Sequence, residues 1–152
     1  VIRDIGDGEL VELLAAYQFL QAQNLRMTSG LTSHLGIGST DLRVLLYVDR
    51  APDATPKEVA VQLKQTSGSI TALLDRLEKS GHIVRRPHPS DRRSLTLALT
   101  ESGREVVREV RAAYRSAFSG VFSASELSGV ADTLRALAGA LDPAASALLD
   151  TA

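Results

Sequence analysis

At 152 residues, with 44% apolar residues and a formal charge of −1, the chain is long enough to bury one core and has no excess of either charge. It has six aromatic residues and no cysteine, which leaves the core to Leu, Val and Ala and excludes disulfides, thiolate zinc sites and thiol redox sensing. No stretch approaches the roughly 20 apolar residues of a membrane span, so no membrane partner is expected and a cytoplasmic location is the default. The chain opens Val1-Ile2-Arg3, without initiator methionine or secretory signal, and its first residues are expected to have been trimmed.

In chain order, Leu10, Leu13, Leu14, Tyr17 and Leu20 form one stripe of a helix over Glu9 to Leu25. Thr28 to Ser39, rich in Gly, Ser and Thr, reads as a loop. A second helix is expected to take its N-cap from Ser39–Asp41, to carry Leu42, Leu45, Leu46 and Val48, and to stop before Pro52. Thr55, Pro56 and Glu58 then match a capping box with proline at the first helical position. The short helix they start reaches Leu63. After a turn at Gln65-Thr66-Ser67, another helix buries Ile70, Leu73, Leu74 and Leu77 and stops at Gly81.

The period then changes. His82 to Arg86 reads as a strand, Pro87–Ser90 as a turn, and Ser94 to Leu99 alternates through Leu95, Leu97 and Leu99. A long helix follows from about Glu101, with Val107, Val110, Tyr114, Ala117 and Val121 on one side. Ser123 and Glu126 form another capping box, ahead of a heptad-like seam of Leu127, Val130, Leu134, Leu137 and Leu141 that Pro143 is expected to limit. The order predicts a mostly α fold with a small β-wing. Residues 39–100 would form a winged helix-turn-helix, and residues 1–38 and 101–152 helical dimerisation arms.

Charge is unevenly placed along this order. Lys57 to Arg93 holds eight Lys/Arg against four Asp/Glu, while the rest holds nine basic and fourteen acidic residues. A polyanion would be attracted to one face only. On that face the helix after the turn opens with Thr66, Ser67, Gly68, Ser69 and Thr71, small polar residues that let a helix enter a major groove, and Arg76 follows within reach of a phosphate or guanine. The hairpin carries Arg85 and Arg86 on its first strand and Asp91-Arg92-Arg93 at its tip. Arginine on a thin wing suits the narrow minor groove, and Asp91 makes sense there if it fixes a neighbouring guanidinium.

The stretch Thr55–Gly103 resembles the MarR family of bacterial regulators. The likeness rests on Asp75-Arg76-Leu77-Glu78 with Gly81, then Arg86, Pro89, Asp91 and Arg93, then Leu99-Thr100 with Gly103. It implies a regulator that binds double-stranded DNA as an obligate, triangular homodimer with the first and last two helices intertwined. Within that picture Arg93 enters the minor groove and Asp91 orients it. Separately, no Ser/His/acid set, Gly-rich phosphate loop or carboxylate cluster stands out, so no enzyme is expected. Members of the family commonly repress a nearby gene and release DNA when a small, often phenolic, ligand binds between arm and winged helix. Tyr17, Tyr47 and Tyr114 are the candidates for lining such a pocket, although ordinary core packing explains such residues as well. No cofactor is implied, and His34, His82 and His88 lack a metal-ligand spacing.

Apolar stripes at both ends exceed what a winged helix of roughly 60 residues covers, which predicts a dimer through Leu127, Val130, Leu134, Leu137 and Leu141, although an intramolecular hairpin of the last two helices could hide part of that seam. Two other readings remain open at this point: an architectural winged helix with little sequence choice, and a module that docks onto another protein.

Overall fold

The computed structural model describes residues 6–91 and 94–149. Its elements are α1 (Asp7–Leu35), α2 (Ser39–Arg50), α3 (Pro56–Leu63), α4 (Ser67–Lys79), β1 (Ile83–Pro87), β2 (Leu95–Leu99), α5 (Glu101–Phe118) and α6 (Ala124–Leu149). The predicted class, mostly helical with one small two-stranded sheet, is the one observed. The chain falls into two compact units that divide after Val110, so α1 and the start of α5 belong with the winged helix and the rest of α5 with α6.

In the first unit, α2, α3, α4 and the hairpin enclose the core, with Leu45, Ile70, Leu74, Leu77, Ile83 and Leu97 among its largest fully buried side chains. Helix α3 starts as its sequence dictates: the Thr55 hydroxyl accepts from the Glu58 amide at 3.3 Å, and Glu58 Oε2 accepts from the Thr55 amide at 2.7 Å. Helix α4 has Thr66 as N-cap, and Gly81 follows in the left-handed region at φ 77°. Strands β1 and β2 pair antiparallel with Ile83 opposite Leu99 and Pro87 opposite Leu95. Burial along β2 is not a simple alternation, because Leu95 is exposed while Thr96 is buried beside Leu97 and Leu99.

Where the hairpin meets α5 the backbones nearly touch. Thr100 donates its hydroxyl to the Gly81 carbonyl at 2.6 Å and accepts from the Gly103 amide at 3.1 Å, while its own amide donates to the His82 carbonyl at 3.0 Å. A Cβ on Gly103 would stand 2.1 Å from that carbonyl oxygen, so only glycine fits.

Four local expectations are corrected. The predicted loop from Thr28 is helical through Leu35, because burying Leu31 and closing the helix on left-handed Gly36 outweigh the roughly 1 kcal/mol that Gly30 costs. Helix α2 is capped at Gly38, with Asp41 Oδ2 accepting the Gly38 amide at 3.2 Å, so Ser39 is its first residue and not its cap. Helix α5 stops at Phe118, which leaves Val121 outside it and 61% exposed. Finally, α6 runs through Pro143 to Leu149; the proline forfeits one backbone bond but the Ala-rich sequence beyond it favours helix.

Candidate nucleic-acid interface

The start of α4 is an exposed polar ledge. Ser67, Gly68, Ser69, Thr71 and Ala72 are all exposed, while Ile70, Leu73 and Leu74 hold the opposite face in the core. Several hydroxyls already serve the helix. The Thr66 hydroxyl accepts from the Ser69 amide at 3.2 Å and donates to Ser69 Oγ at 3.0 Å, and Thr71 donates to the Ser67 carbonyl at 2.9 Å. These bonds fix the rotamers, and each oxygen keeps acceptor capacity for an outside group. The free amides of the first turn add a partial positive charge at the same spot.

The wing is tied to this helix by an arginine clamp. Arg85 on β1 gives Nη2 to Asp75 Oδ1 at 2.6 Å and Nη1 to Glu78 Oε2 at 2.5 Å, and its amide donates to Glu78 Oε1 at 3.1 Å. Burial works against the Arg85 charge, but the bonds to Asp75 and Glu78 prevail and raise its pKa. Asp75 and Glu78 stand three residues apart, on one flank of α4, and that spacing beside a basic strand was the signal in the sequence for this clamp. Arg86 is exposed and borders a cleft of about 240 Å³ with Asp49, Asp53 and Arg104.

At the wing's turn, His88 Nδ1 accepts from the Ser90 and Asp91 amides at 3.2 and 3.1 Å. Asp91 in turn accepts from the Ser94 hydroxyl at 2.6 Å. Arg92 and Arg93 lie outside the described residues, and with them the pairing expected between Asp91 and Arg93.

Arg76 was expected to face DNA. Its side chain is 61% exposed, and the guanidinium forks onto Asp41 of α2, with Nη2 to Oδ1 at 2.6 Å and Nε to Oδ2 at 3.3 Å. The hydrogen bond and charge of Asp41 raise the Arg76 pKa. Asp41, nearly buried, is the residue that sequence reasoning gave only a capping role.

Each remaining candidate has its own local setting. The Tyr17 hydroxyl accepts from Gln21 at 2.8 Å on α1. Tyr47 lies under Arg50, 5.7 Å from ring centroid to guanidinium carbon, and helps line a cleft of about 190 Å³ with Arg43, Leu46, Gln62 and Leu63. Tyr114 packs against Phe118 at 5.7 Å in the second unit. On α6, Leu127, Leu134 and Leu141 are about half exposed, at 49, 48 and 51%, and Val130 and Leu137 are half-buried. Helix α1 buries Leu31 alone while Leu10, Val11, Leu13, Leu14, Phe19, Leu20 and Leu25 are exposed. Among the described residues no three His, Asp or Glu side chains cluster to hold a metal, and no helix is long and apolar enough to cross a membrane.

A helix-turn-helix followed directly by an antiparallel hairpin, with the second helix exposing its polar start, defines a winged-helix protein of the DNA-binding regulator class. The MarR family profile matches residues 35–94. The multiple antibiotic resistance protein MarR of Salmonella typhimurium is 30% identical over 102 residues, covering 67% of this chain and 71% of that protein. Other curated relatives align over only about half of their own length, 49% and 53% in two of them. In structure, RV1404 from Mycobacterium tuberculosis superposes with a TM-score of 0.67 at 26% identity, over 92% of this chain and 97% of that one. A mutant of MepR from S. aureus, bound to an oligodeoxyribonucleotide, shares the fold, with a TM-score of 0.60 at 19% identity over 86% and 98% of the two chains. The chain belongs to the MarR family of transcriptional regulators, and its relatives and fold are not those of an enzyme.

Proposed function

We propose that the chain is a cytoplasmic repressor that binds a pseudo-palindromic operator as a homodimer and lets go when a small aromatic ligand binds. The observation that carries DNA binding is the exposed polar start of α4 beside a basic wing, in a chain whose remaining surface charge is acidic. Residues 39–100 are assigned to DNA. Thr66, Ser67, Ser69 and Thr71 meet the major groove, while Arg86, Arg92 and Arg93 meet phosphate or the minor groove, with Asp91 orienting its neighbours. Support also comes from the MepR relative, which has been captured on an oligodeoxyribonucleotide, and from the relative named as the transcriptional repressor MprA of Escherichia coli.

Dimerisation through residues 1–38 and 101–152 is supported by the exposed stripes of α1 and α6, which lose roughly 1.5–3 kcal/mol per large side chain left in water. A two-fold dimer would set two recognition helices about one helical turn apart, roughly 34 Å, which is why the operator should be an inverted repeat. For the effector, the cleft beside Tyr47 offers an aromatic wall and the cations of Arg43 and Arg50. Tyr17 and Tyr114 stay secondary candidates.

The test is to select bound duplex fragments from a genomic library with the purified chain, then repeat the selection with aromatic ligands. Enrichment of one short inverted repeat, lost on adding ligand, is the expected result. Fragments bound without any shared sequence would leave a non-specific architectural binder instead.

A further inference from the structure

The contact between Asp41 and Arg76 spans 35 residues of sequence and joins the N-terminal turn of α2 to the last turn of the recognition helix. We propose that this pair is a strut that fixes the roll of α4 on α2, which makes Arg76 a positioning residue for DNA and not a contact to base or phosphate. The proposal rests on the DNA-binding reading above.

Three observations carry it. The Asp41 side chain is only 10% exposed, and its partners are the Arg76 fork and the Gly38 amide on Oδ2. Two of the five guanidinium N–H groups are engaged by Asp41, and drawing the head off toward a phosphate would leave a nearly buried carboxylate without its cation, an arrangement proteins strongly avoid. Second, a guanidinium forked onto a carboxylate presents a nearly neutral pair, with little attraction left for a polyanion. Third, the geometry is that of a brace. Successive helix residues turn by about 100°, so Arg76 leaves α4 on a different side from Glu78. Arg85 grips Asp75 and Glu78 from the wing while Asp41 grips Arg76 from α2, and the two clamps together fix the helix's rotation. Rotation is what decides where Ser67, Ser69 and Thr71 point.

Asp41→Asn, Arg76→Lys, Arg76→Gln and the double variant Asp41→Asn/Arg76→Gln test this. Each is titrated against the duplex selected by the wild-type chain and a scrambled duplex of equal composition, over a salt series. Circular dichroism supplies the folded fraction that enters each affinity. Both the Lys and Asn variants should lose affinity for the selected duplex on the order of tenfold, the scale for residues that couple elements without touching the ligand. The double variant should lose no more than either single one. Affinity for the scrambled duplex should not fall, and the salt slope should stay that of wild type. A phosphate contact predicts the reverse: Asn at position 41 frees the guanidinium and leaves binding intact, Lys at 76 preserves it, and Gln at 76 makes the salt slope shallower by about 0.9. That result overturns the strut and spares the DNA-binding reading. Should Asp41→Asn fail to fold, Arg76→Lys decides alone, because wild-type affinity in that variant refutes the fork. If the wild-type chain selects no duplex at all, both readings fall together.

Discussion

Replacing Gly103 by alanine should destabilise the protein, although in an unconstrained helix the same change stabilises. The new methyl carbon would stand 2.1 Å from the His82 carbonyl oxygen, where ordinary contact needs more than an ångström of extra room. Neither side yields freely. The His82 carbonyl accepts the Thr100 amide at 3.0 Å, and Thr100 in turn holds Gly81 and Gly103. Forcing α5 and β1 apart therefore loses a hydrogen bond of about 1 kcal/mol and adds overpacking of about 1–3 kcal/mol. Helix propensity returns up to about 1 kcal/mol. The net is a loss of about 2 kcal/mol, or about 4–8 °C in Tm for a chain of this size. Gly68 is the internal control, since an added Cβ there meets nothing within 4 Å and should raise stability by about 0.4–1 kcal/mol. Both variants are to be melted by circular dichroism at one fixed chain concentration. If Gly103→Ala melts at or above wild type while Gly68→Ala behaves as stated, the tight junction between hairpin and α5 is not a constraint.

Leu134→Glu, placed in the half-exposed seam of α6, should sediment as a monomer and lose operator affinity; a stable dimer would move the interface elsewhere. Arg93→Ala should weaken binding to every duplex and make the salt slope shallower by about 0.9, as expected for one lost phosphate contact, and unchanged titrations would remove the wing from the interface. The Glu58 pKa is lowered, first by the hydrogen bond from the Thr55 amide and then by that from its hydroxyl. Its folded-state value lies below the unfolded one, so the capping box adds stability above the ordinary carboxylate range and loses it as pH falls through the folded value. Glu58→Gln should therefore flatten the acid limb of stability against pH in urea melts, and an unaltered limb would show that the box contributes nothing there.

Much of the winged helix was legible because its signals are local. Thr55-Pro56 with Glu58 announces a helix start whatever surrounds it, and the change from a 3.6 to a 2 residue period after Gly81 marks the hairpin. Errors arose where tertiary packing decides. The Gly/Ser/Thr-rich run after Thr28 has loop composition, but Leu31 finds a buried place and carries the helix on to Leu35. Pro143 stops helices in general, yet the Ala-rich residues beyond it continue this one. Charge patterning singled out the basic segment and Arg76 within it, but did not show that Arg76 pairs with Asp41. No spacing rule links Asp41 to a residue 35 positions away, so the fork became visible only once α2 and α4 were packed. The clamp of Arg85 lay closer to hand, since Asp75 and Glu78 already share a helix flank.

The two middle residues of the hairpin, Arg85 and Leu97, stand opposite each other, and both turn their amides outward from the ribbon. Neither amide is left as a template for another strand. Leu97 gives its N–H to the Ala54 carbonyl at 2.9 Å, and Arg85 gives its own to Glu78 at 3.1 Å. Past them β1 ends on Pro87, which has no N–H to offer. A short β-ribbon is an ordinary nucleus for sheet growth between molecules, and here the central outward amide of each margin is already engaged within the chain. In the proposed dimer, self-association would be steered away from cross-β stacking and onto helical surfaces, where it would be finite and symmetric.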